Sequence, residues 1–183
     1  MMLERIRREH GYMVRLLDIL REKLQLLQQE QPINYSLIKE VIEYLGQHAQ
    51  AIHHPKEDVL YGYYQQHYSA DPISLDLTQE HHQLDQQTQS FALLIDMILQ
   101  DAVIPQDLFA DKLKEFIDCH QQHLEMEERD IFPAIERRFT VSDWQYVETV
   151  WNKQDVDPVF GDTIAEQYVQ LARRVRRSES ECI

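Results

Sequence analysis

Histidine and glutamate recur in this chain at spacings that suit the binding of metal ions. Two segments carry a histidine followed four residues later by a glutamate, and each is preceded by a segment with a histidine of its own. In a helix this spacing places both side chains on one face, about 6 Å apart along the axis. Neutral imidazole and carboxylate are ligands for borderline cations, so two facing pairs could hold two metal ions. The candidate ligands are His10, His53, Glu57, His81, His123 and Glu127.

The residues around these positions repeat as expected for long amphipathic helices. Between residues 3 and 27, apolar side chains recur at alternating steps of three and four, and His10 is the only polar residue on that face. A third segment, which begins near Leu77, repeats the pattern with His81 on its apolar face. A fourth segment places three ionisable or metal-binding residues on consecutive positions of that face: His120, His123 and Glu127.

The second helical segment, residues 35–66, is less regular. It leads through apolar residues to His53 and Glu57, and it contains Pro55. Proline removes one backbone hydrogen bond, so we expect this helix to loosen or kink there. Four further histidines lie off the apolar faces and are not expected to be ligands: His48, His54, His67 and His82.

The four segments form two related hairpins. Glu9-His10 recurs as Glu80-His81, and the pattern that begins at His53 recurs at His123. If the helices are antiparallel and rise equally, the histidines meet at one level of a bundle. A polar group in that position costs several kcal/mol unless it is paired, and metal ions would compensate for it. Predicted turns lie at the midpoints between successive histidines and are marked by Pro32, Pro72 and Pro105.

Composition narrows the class of protein. The 183 residues include 18 Lys and Arg against 32 Asp and Glu, and the net charge of −14 disfavours nucleic acid or an anionic membrane as the main partner. No apolar stretch is long enough to span a bilayer, and the first residues lack the apolar core of a signal peptide. The two cysteines have no CxxC spacing and form no disulfide framework. We therefore expect a cytoplasmic protein.

The chain divides into a main domain, residues 1–139, and an extension, residues 140–183. The extension contains a predicted short helix after Val141, a loop from Asp155 to Gly161 and a final helix from Thr163 to Arg177. We expect it to pack on the main domain or on a partner subunit, in which case it could mediate a homodimer. The basic residues near Arg177 are favoured by the dipole at a helix C-terminus.

The spaced set of histidines and glutamates resembles the HHE cation-binding domain of the hemerythrin-like family. The matching pieces are REHGYM, IHHPKEDVLY, QEHHQL and HLEMEERDIFP, which together cover about residues 1–139. This resemblance implies an all-α, antiparallel up-down-up-down four-helix bundle. It also implies two non-haem iron ions, bridged by Glu57 and Glu127, with an open position for a small diatomic ligand such as dioxygen or nitric oxide. Zinc and manganese remain alternatives, because sites of this composition accept them too.

One position departs from the oxygen-carrying members of that family. Their third helix supplies a second histidine one turn after the first, whereas this chain has Asp85 there. Three alternatives follow: Asp85 coordinates, another histidine substitutes, or one metal keeps a water molecule. His120 is the expected substitute because it shares the apolar face of His123, and Asp85 could instead orient His81 from outside the site.

Three functions are compatible with this site. The first is a di-iron protein that binds or senses a small ligand or handles iron. The second is an enzyme that consumes peroxide or nitric oxide or repairs iron–sulfur clusters, although the chain lacks the Glu-x-x-His pairs of ferritin-like oxidases. The third is a metal-stapled structural module that interacts through its extension. We favour the first, so the chain is expected to be a binding protein rather than an enzyme.

Overall fold

The computed structural model describes residues 1–68, 77–151, 157, 159–160 and 168–181. Within these ranges all regular structure is helical and no β-strand occurs, which confirms the predicted all-α class. None of the described helices is long and apolar enough to cross a membrane. The helices are α1 (Met2–Gln28), α2 (Tyr35–His48), α3 (His54–His67), α4 (Leu77–Leu99), α5 (Gln106–Met126), α6 (Phe132–Arg138), α7 (Val141–Val150) and α8 (Val169–Glu181).

Two pairs of these helices are continuous through a π-helical segment. Ala49–His53 joins α2 to α3, and Glu127–Ile131 joins α5 to α6. A proline follows each segment in the first turn of the next helix, Pro55 in α3 and Pro133 in α6. Because proline cannot donate a hydrogen bond to the turn before it, that turn widens. The disruption expected at Pro55 is therefore present, as a wider helical turn on its N-terminal side.

Turns separate the long helices at two of the predicted positions. The chain leaves α1 through Glu30, whose φ of 56° lies in the left-handed region, and enters α2 behind Asn34. The Asn34 side chain accepts a hydrogen bond of 3.0 Å from the backbone N–H of Leu37, a typical N-cap. Asp101, with φ of 63°, lies in the turn after α4. The turns predicted near Pro32 and before Pro105 are thus confirmed, and the break predicted at Pro72 lies outside the described residues.

Buried apolar residues form two clusters along the helices. One cluster includes Met13, Ile38, Phe91 and Phe116, whereas the other includes Met2, Leu60, Leu77 and Ile131. Each of the four long helical stretches contributes to both clusters, and its candidate ligands lie near the boundary between the two contributions. The packing of α1 on α5, of α2 on α4 and of α4 on α5 brings the stretches together. The apolar pattern therefore positions a polar layer between two apolar ones.

In the extension, α7 packs on α3 and α1, and α8 packs on α1 and α2. Leu171, Ala172 and Val175 of α8 are buried, and Glu40 accepts a hydrogen bond of 2.7 Å from the backbone N–H of Leu171. Arg174 forms an ion pair with Glu22 of α1. The predicted final helix continues to Glu181, and the predicted residues 163–167 and most of the predicted loop 155–161 lie outside the described residues.

Candidate metal centre

The structure brings all six candidate ligands together in one buried layer. Each of them is at most 6% exposed, although all six are polar or ionisable. Helix α1 supplies one residue, the α2–α3 stretch two, α4 one and the α5–α6 stretch two. The sequence spacing predicts this arrangement, in which the ligands of all four helical stretches lie at the same level of the bundle. The six residues are His10, His53, Glu57, His81, His123 and Glu127.

The carboxylate of Glu57 lies between histidines of three helices. Its Oε1 is 3.0 Å from Nε2 of His10 and 3.1 Å from Nε2 of His53. Its Oε2 is 3.4 Å from Nε2 of His81. The two oxygens of one carboxylate therefore face different groups of histidines.

Glu127 repeats this arrangement from the opposite hairpin. Its Oε2 is 3.4 Å from Nε2 of His10, whereas its Oε1 is 3.5 Å from Nε2 of His123 and 3.7 Å from Nε2 of His81. Each of the two glutamates thus offers one oxygen to each histidine group. A pair of carboxylates in this position could bridge two metal ions.

Two clusters of ligand atoms result, and they share Glu57. We call His10, His53 and Glu57 the first cluster, and His54, His81, His123 and Glu57 the second cluster. Within each cluster the ligand atoms lie within 4.8 Å of one another. This separation is small enough for one ion to contact all the members of a cluster after modest side-chain adjustment.

His54 belongs to the second cluster, although its spacing does not place it on the apolar face of a regular helix. Its ring stacks on that of His81 at 4.1 Å between centroids and lies edge-on to His123 at 6.0 Å. A regular helix turns about 100° per residue, which would separate two consecutive histidines. The π-helical segment that ends at His53 changes this register. In the sequence, the only indication that His54 could enter the layer is its place between His53 and Pro55.

Asp85 and His120 belong to neither cluster. Asp85 is half-buried and accepts a hydrogen bond of 2.9 Å from Gln89 on its own helix. His120 is buried with Nε2 3.1 Å from the Thr88 hydroxyl, and burial, followed by the charge of His123, lowers its pKa to about 3. Both side chains have other partners, and the additional histidine in the second cluster is His54 rather than the expected His120.

Three of the clustered histidines are held from outside by a second carboxylate. The Nδ1 atom of His53 is 2.7 Å from Glu9, that of His10 is 2.9 Å from Glu128 and that of His81 is 3.1 Å from Asp58. Such a partner accepts the Nδ1 proton and leaves Nε2 to face a metal. The sequence did not predict this contact for Glu9, Glu128 or Asp58; Glu128 and Asp58 were expected to face solvent or to screen the site.

Protonation of these three histidines is favoured in the metal-free protein. Burial opposes a charged ring, but the adjacent carboxylates of Glu127, Glu128 and Glu57 raise the pKa of His10 well above its usual value. Burial is likewise outweighed at His81, where hydrogen bonds led by that of Asp58 raise the pKa to about 11. The pKa of His53 is also raised.

The other two histidines of the second cluster are neutral at pH 7. Burial, reinforced by the nearby His81, lowers the pKa of His54 well below its usual value. Burial also lowers the pKa of His123. The pKa of Glu57 is lowered against the effect of burial, because His53 and His10 surround it. The layer therefore combines ionised carboxylates with histidines of both charge states.

The unpaired atoms of this layer fit a metal centre. Among the described residues, no hydrogen-bond partner is present for Nε2 of His53, His81 and His123, for Oε2 of Glu57 or for either oxygen of Glu127. Buried polar atoms without partners carry a large desolvation penalty. All of them face the same layer, and imidazole nitrogen with carboxylate oxygen is a donor set that iron, zinc and manganese accept. Coordination would satisfy these atoms together.

Comparison with known proteins gives one match. A family model described as the hemerythrin HHE cation binding domain matches residues 1–135. Neither the curated proteins nor the solved structures contain a significant match. The matched range includes every member of both clusters and ends before the extension.

Proposed function

This chain belongs to the hemerythrin HHE cation-binding domain family, and on that premise we propose that it binds two non-haem iron ions in its buried layer. Membership confirms the resemblance inferred from the spaced histidines, and it supports cation binding. The observation that carries the proposal is the pair of glutamates, Glu57 and Glu127, each with one oxygen toward either cluster. We also propose that the four long helical stretches run as an antiparallel up-down-up-down bundle, supported by the short turns that follow α1 and α4.

The proposed ligands divide unequally between the two ions. His10 and His53 would hold one ion, whereas His54, His81 and His123 would hold the other, with Glu57 and Glu127 shared. The first cluster therefore offers one protein donor fewer than the second. A bound ferrous pair would supply a coordination position for a small diatomic ligand such as dioxygen or nitric oxide. The apolar clusters on both sides of the layer would keep bulk water away from it.

Binding or sensing such a ligand, or handling iron, is the function that we propose. The donor set also accepts zinc and manganese, so metal identity is the first quantity to measure. The homodimer through the extension and the cytoplasmic location stay predictions.

Anaerobic reconstitution tests this function. We expect the metal-free protein to take up two ferrous ions per chain and to develop visible absorption when air or nitric oxide is admitted. A His123→Ala variant should lose the spectral change. A His82→Ala variant should keep it, because His82 is exposed and its Nε2 lies 2.9 Å from the side-chain amide of Gln86 on the same helix. A wild-type protein that stays colourless and takes up no iron would contradict the proposal.

A further inference from the structure

A buried lysine is connected to the first cluster through one carboxylate. Lys56 is 0% exposed, and its Nζ lies 2.5 Å from Oε1 of Glu9. The other oxygen of Glu9, Oε2, lies 2.7 Å from Nδ1 of His53. A continuous chain of three side chains, Lys56–Glu9–His53, therefore ends at a candidate ligand.

The contacts between Lys56, Glu9 and His53 hold two helices together independently of any metal. Glu9 lies on α1, whereas Lys56 lies on α3 beside Glu57, so the ion pair fixes α1 against the turn that carries His53 and Glu57. The ring of Trp151 covers the ammonium group at 5.6 Å. A lysine is rarely fully buried, and its charge is tolerated only with an ionic partner. The geometry of His53 is thereby determined before an ion binds.

The carboxylates that contact Nδ1 of His10 and His81 are less buried than that of Glu9. The side chain of Glu9 is 9% exposed, compared with 37% for Glu128 and 41% for Asp58. In the second cluster, His123 has no hydrogen-bond partner on either ring nitrogen among the described residues. In the first cluster, the buried ion pair of Glu9 and Lys56 therefore holds His53 in place. In the second cluster, no such pair of described residues holds His123.

We propose that the Lys56–Glu9 pair preorganises the first cluster, so that metal ions enter the two clusters in order, the first cluster before the second. Lys56 acts in this as a positioning residue: it holds the carboxylate of Glu9 ionised and in place, and Glu9 in turn keeps the Nδ1–H of His53 directed outward and Nε2 directed at the ion. This inference rests on the proposed two-metal function. It adds the order of loading and the residues that set it.

Titration of the metal-free protein with cobalt(II), followed by calorimetry and visible absorption, tests the order. Wild type should bind two ions in separate steps, the first at least about 10-fold tighter. Loss of an outer partner of a metal-bound histidine costs about 10- to 100-fold in affinity. In Lys56→Met, Glu9 loses its counter-ion, so we expect the first step to weaken by about this factor and the second step to remain. Glu9→Gln should act in the same direction.

Further variants show which cluster is responsible for each cobalt-binding step. Lys39→Met removes a lysine that also forms a 2.5 Å ion pair, with Asp96, but on the surface, and it should leave both steps unchanged. Asp58→Asn, which removes the negative charge of the partner of His81 Nδ1, should weaken only the second step. With one equivalent of cobalt, His10→Ala should lose the tight step and His123→Ala should keep it.

The outcomes separate this inference from the function on which it rests. A protein that binds no cobalt would contradict the proposed function. Binding of two ions with equal affinities, or a first step that Lys56→Met and Glu9→Gln leave unchanged, would overturn the inference and leave the function standing. Circular dichroism and thermal unfolding of each metal-free variant show whether it folds. If Lys56→Met does not fold, the nearly isosteric Glu9→Gln decides the result.

Discussion

At the scale of single residues, His54 determines whether the second cluster has three imidazoles or two. Its stacking on His81 and its place within 4.8 Å of the other ligand atoms indicate a ligand. We expect His54→Ala to retain about one ion per chain after reconstitution. His120→Ala and Asp85→Ala should retain two, because neither residue belongs to a cluster. Elemental analysis of the three variants measures this. Loss of an ion from His120→Ala but not from His54→Ala would reverse the assignment.

Proton release on metal binding is a second consequence at this scale. In the metal-free protein His10, His53 and His81 have raised pKa values, and that of His81 reaches about 11, so His10 and His81 are protonated at neutral pH and protonation of His53 is favoured. A metal ion must displace these protons, at least about one per ion. The apparent affinity should therefore rise with pH between about 6 and 8.

Calorimetry in buffers of different ionisation enthalpy measures this release. The observed heat should vary with the buffer in the direction of protons leaving the protein. A heat that is independent of the buffer would contradict the protonation of these histidines.

The ligand types could be predicted from the sequence, whereas their outer partners could not. His10 and His81 stand out because they interrupt apolar faces, and the four-residue spacings mark Glu57 and Glu127. Glu9, Glu128 and Asp58 resemble any solvent-exposed acid in sequence. Only the distances from their oxygens to histidine Nδ1 atoms distinguish them.

At the scale of helices, the two π-helical segments explain why sequence periodicity fails locally. Each segment lies directly beside candidate ligands and is followed by a proline, Pro55 or Pro133. A proline in sequence predicts a disturbed turn, but it does not determine whether the helix kinks, ends or widens. His54 turns into the layer only because the helix widens there. Its position therefore could not be predicted from the sequence.

A pair of glycines tests the close packing of α2 on α4. A Cβ atom at Gly46 would lie 3.1 Å from Cγ2 of Thr88, whose hydroxyl is held by the Leu84 carbonyl, whereas a Cβ atom at Gly62 has nothing within 4 Å. Gly62→Ala should stabilise the protein by about 0.5–1 kcal/mol through helix propensity. Overpacking costs about 1–3 kcal/mol, so Gly46→Ala should be destabilising. Chemical denaturation compares them, and equal stabilisation would contradict this close approach.

At the scale of the whole molecule, the described part of the extension belongs to the same folded unit as the bundle. Leu171 is 0% exposed on α8, and Tyr44 of α2 donates a hydrogen bond of 2.8 Å to Asp157. Leu171→Ala should cost about 2–5 kcal/mol and lower a single unfolding transition. Leu93→Ala is the control, because Leu93 is 66% exposed and its truncation should change stability by less than about 0.5 kcal/mol. An unchanged main transition in Leu171→Ala would show an independent extension.

The polar layer joins the four long helical stretches of the molecule. Four helical stretches meet there with two ionised carboxylates and several imidazoles, between apolar clusters that contribute most of the core. The arrangement of these layers follows from the sequence, because each long helix carries its ligands between two apolar runs. The placement of Glu57 and Glu127, each with one oxygen toward either cluster, is the feature on which the proposed function depends.

Anomalous diffraction at the iron edge from crystals of the iron-reconstituted protein tests that feature most directly. We predict two iron peaks per chain, about 3.5–4 Å apart, one beside His10 and His53 and the other beside His54, His81 and His123, with Glu57 and Glu127 between them. A single peak in the layer, or iron bound only at surface carboxylates, would contradict a centre of two bridged ions.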